Sequence, residues 1–487
     1  MDLEVRSPVT GDIVGTAADM TDSVPDLVAR ARAAQREWAR KPVAERARNL
    51  GIIRRWLVRN RCAVVESTMA ETGKTYDDAL ASEVFVTADL IRFWERNAER
   101  YLRDERVRGG SPYVLGRRFT VAHDPLGVVG VIAPWNYPLH IGLGDAIPAL
   151  AAGNTAVLKP SEITPLTTAL VTEGIRAAGF PADVLLTATG PGATGAALVD
   201  SVDMVQFTGS THTGRQVGVR CAERLIPCSL ELGGKDPMIV CADANLDRAV
   251  HAAATWGLAN SGQVCMSVER VYVEAPVYEE FSTALADFVA GLRVRGGAGP
   301  GAADLGAITF DRHVADAVAK GARVLTGGKR KPGTARYFEP TVLADVNHDM
   351  AVMREETFGP VLPVMKVRDV DEAVRLANDS EYGLTSSVYT RDRAKGAAVA
   401  RRIATGTGAV NDGYIHLAAR HAPSPGVRNS GAGAPRNGRD GILKYTAPHT
   451  IMTTRTGGLS TELGWLGASP RVTRAAYAIM TRLYGRP

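Results

Sequence analysis

The chain predicts an α/β protein built on a doubly wound parallel sheet, with a second α/β domain after it, and three observations lead there. The β-rich runs 127-GVVGVIAP-134, 154-NTAVLKP-160, 184-VLLTATG-190 and 203-DMVQFTG-209 alternate with helical stretches such as 165-PLTTALVTEGIRAAG-179. Such alternation argues for parallel strands joined by crossover helices. A second series, 237-PMIV-240, 270-RVYVE-274, 361-VLPVMKV-367 and 386-SSVYT-390, repeats the pattern further on. Finally, 487 residues are too many for one hydrophobic core.

Taken in order, the first hundred residues read helical. Apolar positions recur at helical spacing through 26–40 and 43–60, and a third pattern from Asp77 to Arg103 ends in 93-FWERNAERYL-102. The run 111-SPYVLGRRFTVAHDP-125 breaks this periodicity and reads as a projecting hairpin turning at Gly116. After Tyr445 the composition changes. Ser469 and Pro470 can start a helix. Val472, Ala475, Ala476, Ile479, Met480 and Leu483 then form one stripe, with Arg471, Arg474 and Arg482 elsewhere. Docking on the body or on a neighbouring subunit is the favoured role, and weak attachment to a membrane surface the lesser one.

Composition excludes several function classes. A net charge of +5 and the lack of basic runs interleaved with aromatics speak against nucleic acid as a partner. No window approaches ~18 uninterrupted apolar residues, so no spanning helix is expected. The N-terminal residues lack a signal-peptide pattern. Five cysteines without a CxxC pair suggest reduced thiols, no metal site and a cytoplasmic location.

Two glycine-rich turns each close a β-rich run: 190-GPGATG-195, a literal GxGxxG, and 209-GSTHTG-214. Glycines at such turns let backbone approach a pyrophosphate at a helix N-terminus, and they also serve packing alone. The acidic residue expected about 20 positions on is not clear for either turn. Cys265 stands in 259-ANSGQVCMSVERVYV-273, between a polar glycine turn and a strand-like run, where a nucleophile could be presented.

The chain carries 134-PWNYPL-139, 159-KPSE-162, 207-FTGS-210, 231-ELGGK-235, 262-GQVC-265 and 355-EETFGP-360, in that order. Together these resemble the NAD(P)-dependent aldehyde dehydrogenase superfamily, from the N-terminal helices to about Tyr445. The resemblance implies that Cys265 is the nucleophile, Glu231 the general base and Asn136 a donor to the oxyanion. A free thiol with a pKa of ~8.5 is mostly protonated at neutral pH, so the site must assist it. Read alone, Glu231 would be a strand-end carboxylate paired with Lys235, and Asn136 a turn residue. For the cofactor, NAD or NADP, the resemblance implies Trp135, Lys159, Ser161, Glu162, Gly192, Gly195, Gly209, Ser210, Gly214, Glu356 and Phe358. Glu162 near a ribose 2′-hydroxyl would repel a 2′-phosphate, which tilts the reading toward NAD.

The implied fold is aldehyde dehydrogenase-like. An NAD(P)-binding domain of Rossmann type spans 1–110 and 126–232, and a catalytic domain 233–430. A β bridging or oligomerisation element comprises 111–125 and 431–455, and a tail 456–487. A projecting hairpin leaves edges that need a partner, so a homodimer or homotetramer is expected. Where the family often reads Pro-Phe-Gly-Gly, this chain has 422-APSPGVRNSG-431, so Ser424 and Pro425 alter the substrate-side loop. The substrate is a small aldehyde. The stretch 92–102 and the run around Cys265 look similar to bacterial succinate-semialdehyde dehydrogenases, with medium-chain or aromatic aldehydes as the alternative. A coenzyme A-acylating relative would not need Glu231, and a non-catalytic one would be expected to lose Cys265, Asn136 or Glu231.

Overall fold

A computed structural model describes residues 2–114, 116–297, 299–308, 313–332, 336–455 and 468–485. By contacts the chain forms two units: Met1–Leu102 with Pro125–Ala447, and Arg103–Asp124 with Pro448–Pro487.

The larger unit holds two wound sheets. In the first, Val128–Ile132 lies between Met204–Thr208 and Thr155–Lys159, all parallel. Leu185–Thr187 and Cys228–Glu231 extend it outward on either side. Gly431–Ala432 is added antiparallel on Cys228–Glu231. Alternate residues feed two cores. Val129, Val131 and Leu158 meet Leu139, Leu143 and Ile147 of the helix Pro138–Ala151. Val128, Val157, Val205 and Phe207 meet Leu27, Val28 and Leu198 on the other side. Burial on both faces explains why these strands read as continuous apolar runs. The winding reverses between Val128–Ile132 and Met204–Thr208, and the C-terminal strand ends at such a switch leave a crevice.

The second sheet has seven strands. Asp236–Val240 and Val268–Glu274 lie at its centre, with Val361–Val367 beyond one and Thr385–Tyr389 beyond the other. The peptide 231-ELGGK-235 connects the last strand of the first winding to the first strand of the second.

The N-terminal helices run Val24–Arg40 and Val43–Arg59, close to expectation. The third pattern is a wide-turned segment, Ala79–Phe85, continuing into Val86–Leu102. Two features correct the sequence reading. The first hundred residues are not all helical, because Leu3–Arg6 and Ile13–Ala17 pair as an antiparallel hairpin. Strands of four and five residues are too short for periodicity to reveal. In the smaller unit the hairpin starts earlier than expected: Glu105–Val107 pairs with Arg117–Pro125, and Thr446–Thr454 flanks the latter in a three-stranded sheet. Residues 111–114 belong to the turn, not to a strand. The tail helix is Pro470–Tyr484, with none of its residues buried. No described helix is long and apolar enough to cross a membrane.

Candidate active site

Five loops at the C-terminal ends of the first sheet, together with loops of the second, line a cleft of about 690 Å³. Trp135 and Asn136 follow Val128–Ile132, and the helix behind them begins at Pro138. That N-terminus is capped from a distance, since the Glu83 carboxylate accepts from Leu139 N (3.2 Å) and His140 N (2.7 Å). Lys74 supports the same corner, 3.8 Å from Glu83 and 3.7 Å from the Tyr137 ring centroid. Carboxylates suit helix N-termini because unpaired amides and the dipole converge there.

Lys159 ends its strand, and its Nζ donates to Glu162 Oε2 at 3.0 Å, with Ser161 between them on the cleft wall. Gly192 and Gly195 line the same wall in the first turns of Gly192–Ser201. Gly209 and Ser210 do so before Thr211–Glu223, where Ser210 Oγ caps the helix by accepting from Thr213 N at 3.2 Å. Gly214 is placed differently: it packs against Leu232 instead of facing the cleft. At the far end Trp135 and Phe358 meet edge to face at 5.5 Å, beside Glu356, whose carboxylate accepts from Gly234 N. Glu269, buried behind them, accepts from Thr357 N (2.7 Å), Phe358 N (2.9 Å) and Lys235 Nζ (2.6 Å). Lys235 is thus paired with Glu269, and the alternative reading of Glu231 as its partner is not what the structure shows. Two glycine-rich walls at helix N-termini, a cation–carboxylate pair at one end and an aromatic pair at the other fit an elongated dinucleotide.

Cys265 lies where this cleft meets a second cavity, of about 490 Å³. Its turn is unusual. Asn260, Ser261 and Gly262 all take left-handed backbone angles (φ 49°, 57° and 76°). A Cβ on Gly262 would stand 2.1 Å from Gly359 O, so only glycine fits. Side-chain bonds hold the turn: Asn136 Nδ2 donates to Gln263 O at 2.9 Å, and Asn260 Nδ2 donates to Asn136 O and Gln263 O at 3.2 Å. Asn136 is thus tied to the loop that carries Cys265. Gly234 of the sheet-connecting peptide sits against the Cys265 carbonyl, where a Cβ would come within 2.3 Å.

Glu231 is buried at the end of its strand and lines neither cavity. Its carboxylate makes no ion pair among the described residues. Burial raises its pKa, while Arg436 and Lys444 oppose the rise and Asp145 adds to it. Burial also pushes the Cys265 thiol up to about 12, with Arg436 acting against this and Glu356, Asp236 and Glu231 reinforcing it. Of the groups around the thiol, Arg436 is the one that favours its ionised form.

Sequence reasoning missed the polar cluster around Glu231. Arg436 donates to both carboxylate oxygens of Asp145 (2.9 and 2.6 Å) and to Thr208 Oγ1 (2.5 Å). Lys444 Nζ donates to Gln206 Oε1 (2.8 Å) and Ser229 Oγ (3.2 Å), and burial lowers its pKa to about 8. One signal was available: Asp145 is the lone carboxylate of an apolar fourteen-residue helix. The second cavity is lined by apolar groups, Phe85, Leu90, Trp94, Trp256, Met266 and Tyr414 among them, and by the charged or polar groups Arg436, Asp145, Asp89, His140, Arg420 and Lys444.

Residues 1–451 match the model of the aldehyde dehydrogenase family. A protein of Mycolicibacterium smegmatis with the provisional name succinate-semialdehyde dehydrogenase [NADP(+)] is 43% identical over 465 residues, covering 93% of this chain and 88% of its own length. A 4,4'-diapolycopene aldehyde oxidase of a Methylomonas species is 38% identical, covering 92% of this chain and 85% of its own. Among solved structures, an aldehyde dehydrogenase of Mycobacterium tuberculosis complexed with NAD+ superposes with a TM-score of 0.86 at 34% identity, covering 92% of this chain and 94% of that one.

Proposed function

This chain belongs to the aldehyde dehydrogenase family, as an NAD(P)-dependent oxidoreductase, and from that premise we propose that it oxidises an apolar-bodied aldehyde, medium-chain or aromatic, to its acid through Cys265. The observation that carries the reading is the position of Cys265, shared by a cleft suited to a dinucleotide and a cavity lined mainly by aromatic and aliphatic groups, with Arg420, Arg436 and Lys444 also in its wall.

Trp135, Lys159, Ser161, Glu162, Gly192, Gly195, Gly209, Ser210, Glu356 and Phe358 hold the cofactor, which when bound accepts the hydride. The Lys159–Glu162 pair tilts the preference toward NAD, because a carboxylate near the ribose disfavours a 2′-phosphate. Cys265 adds through sulfur to the aldehyde carbon, and its proton passes to Glu231, which releases it to solvent before the hydrolytic step. One amide hydrogen of Asn136 is spent on Gln263 O; the other donates to the resulting oxyanion. A preorganised donor of this kind lowers the barrier by ~3–4 kcal/mol. The oxyanion collapses as hydride leaves, which makes a thioester. Glu231 then takes a proton from water as the water attacks, and the carboxylic acid departs from the sulfur.

A second reading, succinate semialdehyde, has one observation in its favour beyond the relative's name. Arg420 lines the same cavity; its Nε makes no hydrogen bond and stands 3.6 Å from Asp89 Oδ2, so a distal carboxylate would share that guanidinium with Asp89. Hexanal, benzaldehyde and succinic semialdehyde assayed with NAD and with NADP separate the two: preference for the first pair supports the apolar reading, preference for the third overturns it. Replacing Cys265 by Ser should abolish oxidation while sparing cofactor binding, and oxidation retained in that variant refutes the mechanism.

The same proposal has the protein act in the cytoplasm and as a homodimer or homotetramer; the outer strands of the three-stranded sheet support the assembly alone. Sedimentation as a monomer at micromolar concentration contradicts it. Weak membrane-surface contact through the tail helix is supported by exposed Val472, Ile479 and Leu483 beside Arg471, Arg474 and Arg482. Failure to bind anionic vesicles refutes that part.

A further inference from the structure

A general base must be ionised yet unpaired, since a carboxylate locked against a cation holds its charge too well to take a proton. Glu231 is unpaired among the described residues even though a buried guanidinium stands near it. Thr208 and Glu231 are opposite each other on neighbouring parallel strands, so their side chains share a sheet face. Arg436, bonded to Thr208 Oγ1, therefore stands over that face. What keeps it from Glu231 is Asp145, which is only 2% exposed and takes the guanidinium through both oxygens. A planar guanidinium committed at both ends of a bidentate pair has little freedom to swing. Its backbone is also held, because Ser424 N donates to Arg436 O at 2.8 Å. The Ser424–Pro425 variation in the loop thus lies at the anchor of this arginine.

We propose that Asp145 and Arg436 are the positioning pair of this site: Asp145, with Thr208, withholds the guanidinium from Glu231, which stays free as a base, while the pinned charge faces the Cys265 sulfur across the shared cavity. The inference rests on the catalytic roles proposed for Cys265 and Glu231. Other charged and titratable groups surround both. Lys444 and Tyr445 face Glu231, and Glu356, Asp236, Tyr137 and Tyr414 face Cys265. None of these is held on Asp145.

Two variants move the pH profile in opposite directions. In Asp145→Asn the weakened clamp lets Arg436 close on Glu231, so the acid limb of kcat shifts to lower pH. The acyl-enzyme then hydrolyses about tenfold more slowly, seen as a burst of reduced cofactor followed by a slow phase. In Arg436→Gln the counter-charge is gone, so the acid limb shifts to higher pH. Alkylation of Cys265 by iodoacetamide at pH 8, followed on the Cys265 peptide by mass spectrometry in the full-length protein, slows about tenfold. Asp145→Glu and Arg436→Lys should restore part of each effect. Both limbs unmoved, or both moved in the same direction, overturns the proposal. If Arg436→Gln does not fold, Asp145→Asn with an unmoved acid limb does the same. Because alkylation needs no aldehyde oxidation, its outcome is separate from that of the Cys265→Ser test.

Discussion

Replacing Glu269 by Gln isolates the support behind the cleft wall at Glu356 and Phe358. Glu269 is 3% exposed and accepts three hydrogen bonds, two from the backbone of the Thr357–Phe358 loop and one from Lys235. A glutamine oxygen in the place of Oε2 still accepts from Thr357 N and Lys235 Nζ, but the acceptor for Phe358 N and the negative charge are both lost. The lysine, 1% exposed, is then left with neutral acceptors only, Thr357 Oγ1 at 3.0 Å among them. Removing one partner of a buried pair typically costs ~3–5 kcal/mol because the remaining charge is uncompensated. Lys235→Met should cost less, since Glu269 keeps both backbone donors. The sign of the pH dependence follows from Lys235, whose pKa is lowered by burial and raised again by Glu269. Without Glu269 it falls further, so at alkaline pH the folded protein sheds the lysine proton before the unfolded chain does. Stability then rises with pH across that window. The assay is the urea midpoint of wild type and both variants at pH 6.5 and pH 9.5, together with KM for the cofactor. Glu269→Gln should be the less stable variant, with a deficit that shrinks at the higher pH, and its KM should rise as the Glu356–Phe358 loop loosens. Equal deficits in the two variants at both pH values would refute the argument that an unpaired buried lysine carries the cost.

Gly262→Ala places a methyl group 2.1 Å from Gly359 O at a φ of 76°, so it should reduce kcat more than a hundredfold while Cys265 remains present, as titration of total thiols in the unfolded protein would verify. Near wild-type turnover would mean the turn relaxes freely. Asp236 is held protonated by burial to a pKa of about 8, its oxygens accepting from Thr385 N and Oγ1. Its folded pKa lies above the unfolded value of ~3.9, so its contribution is full at low pH and is lost as pH rises toward 8. Asp236→Asn should therefore flatten the loss of thermal stability between pH 5 and pH 8; an unchanged slope contradicts the assignment.

Much of the fold was legible because strands buried on both faces must be apolar throughout, as 127-GVVGVIAP-134 is, and crossover helices between them show their own period. The Leu3–Arg6 and Ile13–Ala17 hairpin was not, since its pairing is a tertiary choice made by segments too short to carry a pattern. The cleft residues were legible through motifs, and Gly214 shows the limit: within one turn, a glycine for packing and a glycine for ligand approach look identical.

By itself the amino-acid order determined the chemistry on offer: one thiol after a glycine turn, a carboxylate in a sheet-connecting peptide, and helix N-termini behind glycines. Each is a local arrangement, dictated by which residues tolerate a given backbone. The tertiary structure alone decided how those groups are charged and what surrounds them. Asp145 and Arg436 meet across 291 residues, and Lys235 finds its carboxylate partner in Glu269, 34 residues on. Ion pairs and cavity walls of this kind are assembled from distant segments by packing, and electrostatic strength depends on the burial that packing creates, so no stretch of sequence records them.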